Sequence, residues 1–102
     1  MAARLTEERV RAVLRDVIDP ELGVNIVDLG LIYGVDLAGD RVDIRMTMTT
    51  PGCPAANYIE QEVWDRLLRL PGVAKVRVEV VWHPPWSPDR MSEEARRALG
   101  FF

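Results

Sequence analysis

Cysteine and histidine are almost absent from this chain: 102 residues contain one of each, Cys53 and His83. One cysteine cannot close an internal disulfide, so no oxidising compartment is implied. One thiol and one imidazole also exclude a zinc site built on paired, closely spaced ligands. No Gly-rich phosphate loop is present. No apolar run approaches the roughly 20 residues that cross a bilayer, and the opening "MAARLTEERV" lacks the apolar centre of a secretory signal. Positive charge is not in excess either. Thirteen Lys and Arg against 16 Asp and Glu give a net charge of −3. That balance offers no electrostatic attraction to nucleic acid or to an anionic membrane. The expectation is a cytoplasmic protein with neither as a partner.

What is present is enough hydrophobic material, 48% of residues, for one core in a single domain spanning 1–102. Thr6 has the character of a helix N-cap, with Glu7 and Glu8 where the helix dipole favours negative charge. Leu5 and Val10 are placed to form a hydrophobic staple across it. Val10, Val13, Leu14, Val17 and Ile18 follow helical spacing until Pro20 disfavours helical geometry at Asp19.

Leu31, Tyr33, Val35 and Leu37 then alternate, as do Val42, Ile44, Met46 and Met48, with Ala38-Gly39-Asp40 as a hairpin turn between them. Asp43, Arg45 and Thr47 form the wet face of the second strand. A second helix starts near Pro54 and runs to Pro71-Gly72 with Ala56, Ile59, Val63, Leu67 and Leu70 on one side. A third strand sets Val76, Val78, Val80 and Trp82 against Lys75, Arg77 and Glu79. Trp82 and Trp86 are expected to pack, and Pro84, Pro85 and Pro88 to stiffen a loop able to wall a shallow site. Ser92 caps a last helix that Gly100 ends, and Phe101-Phe102 form an apolar tail.

The order α-β-β-α-β-α predicts an α/β (α+β) two-layer sandwich. It is a small three-stranded mixed sheet with helices packed on one face. The helical crossover makes strands two and three parallel, and leaves open where strand one lies.

The lone thiol sits in "MTTPGCPAANY". Pro54 suits the first position of a helix, which would make Cys53 the cap. The free amides of the first turn and the helix dipole would then favour thiolate and lower the thiol pKa. Gly52 would allow close backbone approach, and Thr49 and Thr50 would add hydroxyl donors. The competing reading is a buried, inert cysteine in a strand-to-helix turn. Asp19, Glu21 and Asp28 form an acidic loop among aliphatics. Ordinary turn and cap chemistry explains Asp28 best, and for Glu21 the structural and functional readings stand level. His83 ends the third strand on the side of Lys75 and Glu79, where a partly exposed strand-end histidine is the simpler account.

The stretches "DPELGVNIVDLGLIYGV", "MTMTTPGCP" and "LPGVAKVRVEVVWHPPWSPDRMSEEAR" together resemble the small iron–sulfur assembly factors of the SufT and PaaD type, over about residues 5 to 100. The stand-alone SufT type is the nearer fit, because no cysteine-rich C-terminal segment follows. The resemblance implies a two-layer α/β domain active in iron–sulfur protein maturation. Its motif positions fall on Asp19, Pro20 and Glu21, on Thr49, and on Cys53 with Pro54, with the cysteine as the functional residue. The cluster or client site would thus comprise Cys53, Glu21, Asp19, Thr49, Thr50, Gly52 and Pro54.

Two functions follow. In the first, the chain helps assemble or transfer a cluster to client apoproteins. Clusters are usually held by four thiolates, so Cys53 would ligate transiently, in a mixed set with a carrier or scaffold protein, or across a homodimer. Glu21, Asp19 or His83 would lend a hard ligand to iron. In the second, the chain is an adaptor that recruits clients to a cluster carrier without binding metal. A thiol enzyme would need a resolving thiol or an activating base, and the composition supplies neither in a pattern. The expected role is therefore accessory rather than enzymatic, with no resident cofactor beyond a transient or shared cluster.

Overall fold

The Thr6 hydroxyl accepts the Arg9 N–H at 3.2 Å and starts α1, Glu7–Leu14. This is a computed structural model, and it describes residues 5–50, 52 and 54–100. Helix α1 is shorter than its apolar spacing predicts. Asp16 and Val17 donate to the carbonyls of Val13 and Leu14, a three-residue tightening that closes the helix. Ile18 then pairs with Asn25 in an isolated antiparallel bridge, and its side chain is exposed rather than on the core face.

Strands β1 (Ile32–Ala38) and β2 (Arg41–Met46) form the expected hairpin, and Gly39 takes φ +63° at its turn. Helix α2 (Ala56–Leu68) crosses over to β3 (Lys75–Val80), which pairs with β2 in parallel. The order is β1-β2-β3, so β2 is central. A single 3₁₀ turn, Pro88–Arg90, precedes α3, Glu93–Leu99. Ser92 caps α3 by accepting the Ala95 N–H at 3.1 Å, and Gly100 closes it at φ +82°. The Phe101-Phe102 tail lies outside the described residues.

Sheet alternation sorts the two faces. Val42, Ile44 and Met46 pair in register with Val76, Val78 and Val80 and join the core with Val10 and Leu14 of α1 and Ile59, Val63 and Leu67 of α2. The opposite face of the sheet carries Asp36, Asp43, Arg45, Arg77 and Glu79. One face is packed and the other wet, as the patterning requires.

Three residues depart from the alternation. The register shifts between Ile32 and Gly34, a bulge that leaves Tyr33 off the core face expected for it. Strand β2 ends at Met46, so Thr47 is fully buried rather than on the wet face. Strand β3 ends at Val80, so Trp82 is not held over the core and is 43% exposed. The segment between α1 and β1 is more than a surface loop: Ile26, Leu29 and Leu31 are fully buried.

Candidate functional site

The link from β2 to α2 leaves the sheet at the carboxyl ends of the parallel strands β2 and β3. Thr47 anchors it by donating its N–H to Leu31 at 2.8 Å, and Met48 is buried just beyond. Thr49 is half-buried, and Thr50, Gly52 and Pro54 are exposed. Gly52 has φ +73°, and among the described residues no heavy atom lies within 4 Å of where a Cβ would stand. Its backbone conformation accounts for a glycine at this position.

The cap is also displaced. The first regular helical bond runs from Ile59 N–H to Ala55 carbonyl at 2.9 Å, so Ala55 is the N-cap, with φ −82° and ψ −6°. Pro54 sits in the turn leading into the helix and does not occupy its first position. The expected cap, Cys53, lies outside the described residues, as does Pro51. Ala55 has no side chain able to cap, and the first turn of α2 carries no acid. Among the described residues, the first-turn amides and the positive end of the dipole thus gain no capping side chain from Ala55 and no first-turn acid.

The acidic loop divides into separate local structures. Asp19 is buried, and its Oδ1 accepts the N–H groups of Glu21 at 2.8 Å and Leu22 at 3.3 Å. This is a side-chain-closed turn of the kind short acids favour. Glu21 is exposed on that turn. Asp28 accepts from the Asn25 side-chain amide at 2.7 Å, while its own N–H bonds Asn25 Oδ1 at 2.9 Å. Asp19 and Asp28 thus each have local hydrogen-bond partners, and at the second turn it is Asn25 whose side chain accepts the main-chain N–H.

His83 belongs to a groove that opens on the wet side of the sheet. This cleft of about 580 Å³ is lined by Gly30, Tyr33, Arg45, Glu79, His83 and Arg90, among others. The proline-rich segment walls it as expected: the Tyr33 hydroxyl donates to the Pro84 carbonyl at 2.8 Å. The Arg90 guanidinium lies 4.8 Å from the Tyr33 ring centroid, and cation–π attraction holds it there. Gly34 leaves room for the Arg45 guanidinium to cross the hairpin, since a Cβ at Gly34 would collide with it. Tyr33, Arg45 and Arg90 were not singled out from sequence. A glycine inside a strand, Gly34, was the available signal of close approach. The groove and the β2–α2 link thus emerge at the same end of the sheet, one carrying His83 and the other the motif threonines.

The fold is thus a small two-layer domain in which the exposed Thr50, Gly52 and Pro54 emerge beside a mixed-charge groove. The chain belongs to the iron-sulfur cluster assembly protein family, whose model matches residues 7–80. It is 48% identical to the Fe-S protein maturation auxiliary factor YitW of Bacillus subtilis, covering 92% of this chain and 93% of that one. It is 41% identical to an iron-sulfur cluster carrier protein of Synechocystis, covering 86% of this chain but only 26% of the carrier. A crystal structure of a domain of unknown function, DUF59, from Bacillus anthracis superposes with a TM-score of 0.89. It is 48% identical, covering 94% of this chain and 92% of that one.

Proposed function

We propose that this protein is an auxiliary factor in the maturation of iron–sulfur proteins, and that Cys53 handles the cluster as it passes to a client apoprotein. The observation that carries this reading is the start of α2, where the described cap residue, Ala55, makes no side-chain cap bond. The only thiol in the sequence is two positions before Ala55, a cap residue without a capping side chain. Unpaired amides at a helix start favour an anionic sulfur. The relatives, a maturation auxiliary factor and a cluster carrier protein, support the same reading.

The cluster is cargo. Clusters usually take four thiolates, and the chain has one cysteine. No group of three His, Cys, Asp or Glu able to hold a metal occurs among the described residues. The remaining ligands would come from a carrier, a client or a small thiol. The role is accessory, and a reduced cytoplasm suits a free thiolate.

Anaerobic reconstitution with iron, sulfide and a small thiol tests it. Colour that survives gel filtration and disappears in Cys53→Ser is the expected result. Alkylation of Cys53 should show a midpoint below the free-thiol value of about 8.5; a midpoint at or above it removes the electrostatic argument.

The groove favours a second reading, an adaptor for clients. Arg45, Glu79, His83 and Arg90 present both charge signs on an open surface, which suits a polypeptide more than a metal. A colourless protein that captures a client apoprotein, and loses it in the double variant Arg45→Ala, Arg90→Ala, supports this reading over the first.

A further inference from the structure

Among the described residues, the sheet order leaves β1 and β3 each with an open edge. The two edges differ in what they could accept. Strand β1 carries a bulge and a single charge, Asp36. Strand β3 reads Lys-Val-Arg-Val-Glu-Val with strict alternation, its valines half-buried and its charged residues exposed.

The direction of the β3 backbone follows from one bond. Val81 donates its N–H to the Met46 carbonyl at 2.7 Å. By alternation the odd-numbered residues of β3 turn their amides towards β2. Val76, Val78 and Val80 therefore turn N–H and C=O outward, away from the sheet. Beside them lies a groove of about 630 Å³ between α2 and the edge, lined by Asn57, Glu60, Gln61, Trp64, Val76 and Val78 among others. Trp64 there is 43% exposed.

We infer that this edge is a self-complementary interface, and that two copies of the chain join antiparallel through β3 about a two-fold axis normal to the sheet. The argument is one of register and charge. With Val78 opposite the partner's Val78, Val76 meets the partner's Val80, and these are the residues whose amides face outward. Arg77 then stands opposite the partner's Glu79, and Glu79 opposite the partner's Arg77. Both fall at non-hydrogen-bonded positions, where cross-strand side chains are closest. The neighbouring registers fail: one sets Arg77 against its own copy, the other Glu79 against its own copy. Neither Arg77 nor Glu79 forms an ion pair among the described residues. Both charges are therefore available to a partner. Trp64 and the valine row lie along the same edge and would close over each other's groove.

The resulting sheet would run β1-β2-β3-β3-β2-β1 with all helices on one side. Antiparallel joining puts the two β2–α2 links at opposite ends of the shared strand pair. Such a dimer therefore does not bring the two links together, and the inference stands apart from the maturation reading.

Sedimentation over a concentration series tests it. The intact chain should show a concentration-dependent dimer. Arg77→Glu and Glu79→Arg should each weaken it by roughly tenfold or more, because like charges directly opposite are destabilising. The double variant Arg77→Glu, Glu79→Arg should restore it. As a check that does not depend on charge, Val78→Cys in a Cys53→Ser background should form a disulfide-linked dimer on mild oxidation. Leu37→Cys, on β1, should not. A chain that is monomeric at every concentration overturns the proposal, and is what an edge reserved for an extended segment of another protein would give. A dimer indifferent to the charge reversals, one not restored by the swap, or no cross-link at Val78 overturns it as well.

Discussion

The indole N–H of Trp86 donates to the main-chain carbonyl of Leu29 at 2.7 Å, tying the proline-rich segment to the buried segment ahead of β1. A second tie runs parallel to it, from Ser92 N–H to the Asp28 carbonyl at 2.7 Å. Together they set the wall of the groove that carries His83 and Pro84. Trp86→Phe keeps most of the packing and removes one donor, leaving a carbonyl in a half-buried site. The expected loss is about 1–2 kcal/mol, read as a lower urea midpoint at unchanged slope. No loss would mean that water replaces the indole.

Gly30 and Gly23 have nearly the same backbone, φ +79° and +72°, but different surroundings. A Cβ on Gly30 would run into the main chain of Arg90, whereas among the described residues nothing lies within 4 Å of one on Gly23. Gly23→Ala should cost about 1 kcal/mol, from the left-handed conformation alone. Gly30→Ala should cost roughly 3 kcal/mol or more, because the loop and the C-terminal segment must separate. Comparable melting temperatures for the two variants would contradict this packing. The groove should also widen in Gly30→Ala, so weakened client capture would accompany the lost stability.

Element type and order were readable because each element follows one period, and α1 and α3 also carry their own caps, Thr6 for α1 and Ser92 and Gly100 for α3. The boundaries were less readable, and each miss has a physical cause. The bulge that turns Tyr33 into the groove leaves no mark in an alternating pattern beyond Gly34. Thr47 reads as wet-face only if β2 continues, and β2 stops one residue earlier. Ile18 and Trp82 have the right spacing, yet both lie past the ends of their elements. At the site, the motif residues could be named in sequence, whereas the groove could not. Arg45, Glu79, His83 and Arg90 are brought together only by strand register and by the folding back of the C-terminal segment.

Asp19 separates a structural from a functional carboxylate. Its side chain closes its own turn on two N–H groups while almost fully buried. Asp19→Ala leaves those donors without a partner and should cost about 1–3 kcal/mol. Asp19→Asn keeps the accepting oxygen and should lose well under half as much. Thermal unfolding of both variants measures the ratio. If Asp19→Asn melts with the parent yet fails in client maturation, the negative charge itself has a role beyond the turn.

Thr47 is fully buried, and its hydroxyl has no hydrogen-bond partner among the described residues. Burying an unpaired hydroxyl is unfavourable, while its methyl group packs as a valine methyl would. Its main-chain N–H, bonded to Leu31, is untouched by a side-chain change. Thr47→Val should therefore raise stability by about 1 kcal/mol, measured as a higher denaturation midpoint with unchanged slope. A protein keeps a costly group of this kind where the group is used, and Thr47 opens the link that leads to Cys53. If Thr47→Val is more stable but slower to form colour on reconstitution, the hydroxyl serves the site. If it is less stable, the hydroxyl is satisfied in the folded protein and belongs to the packing.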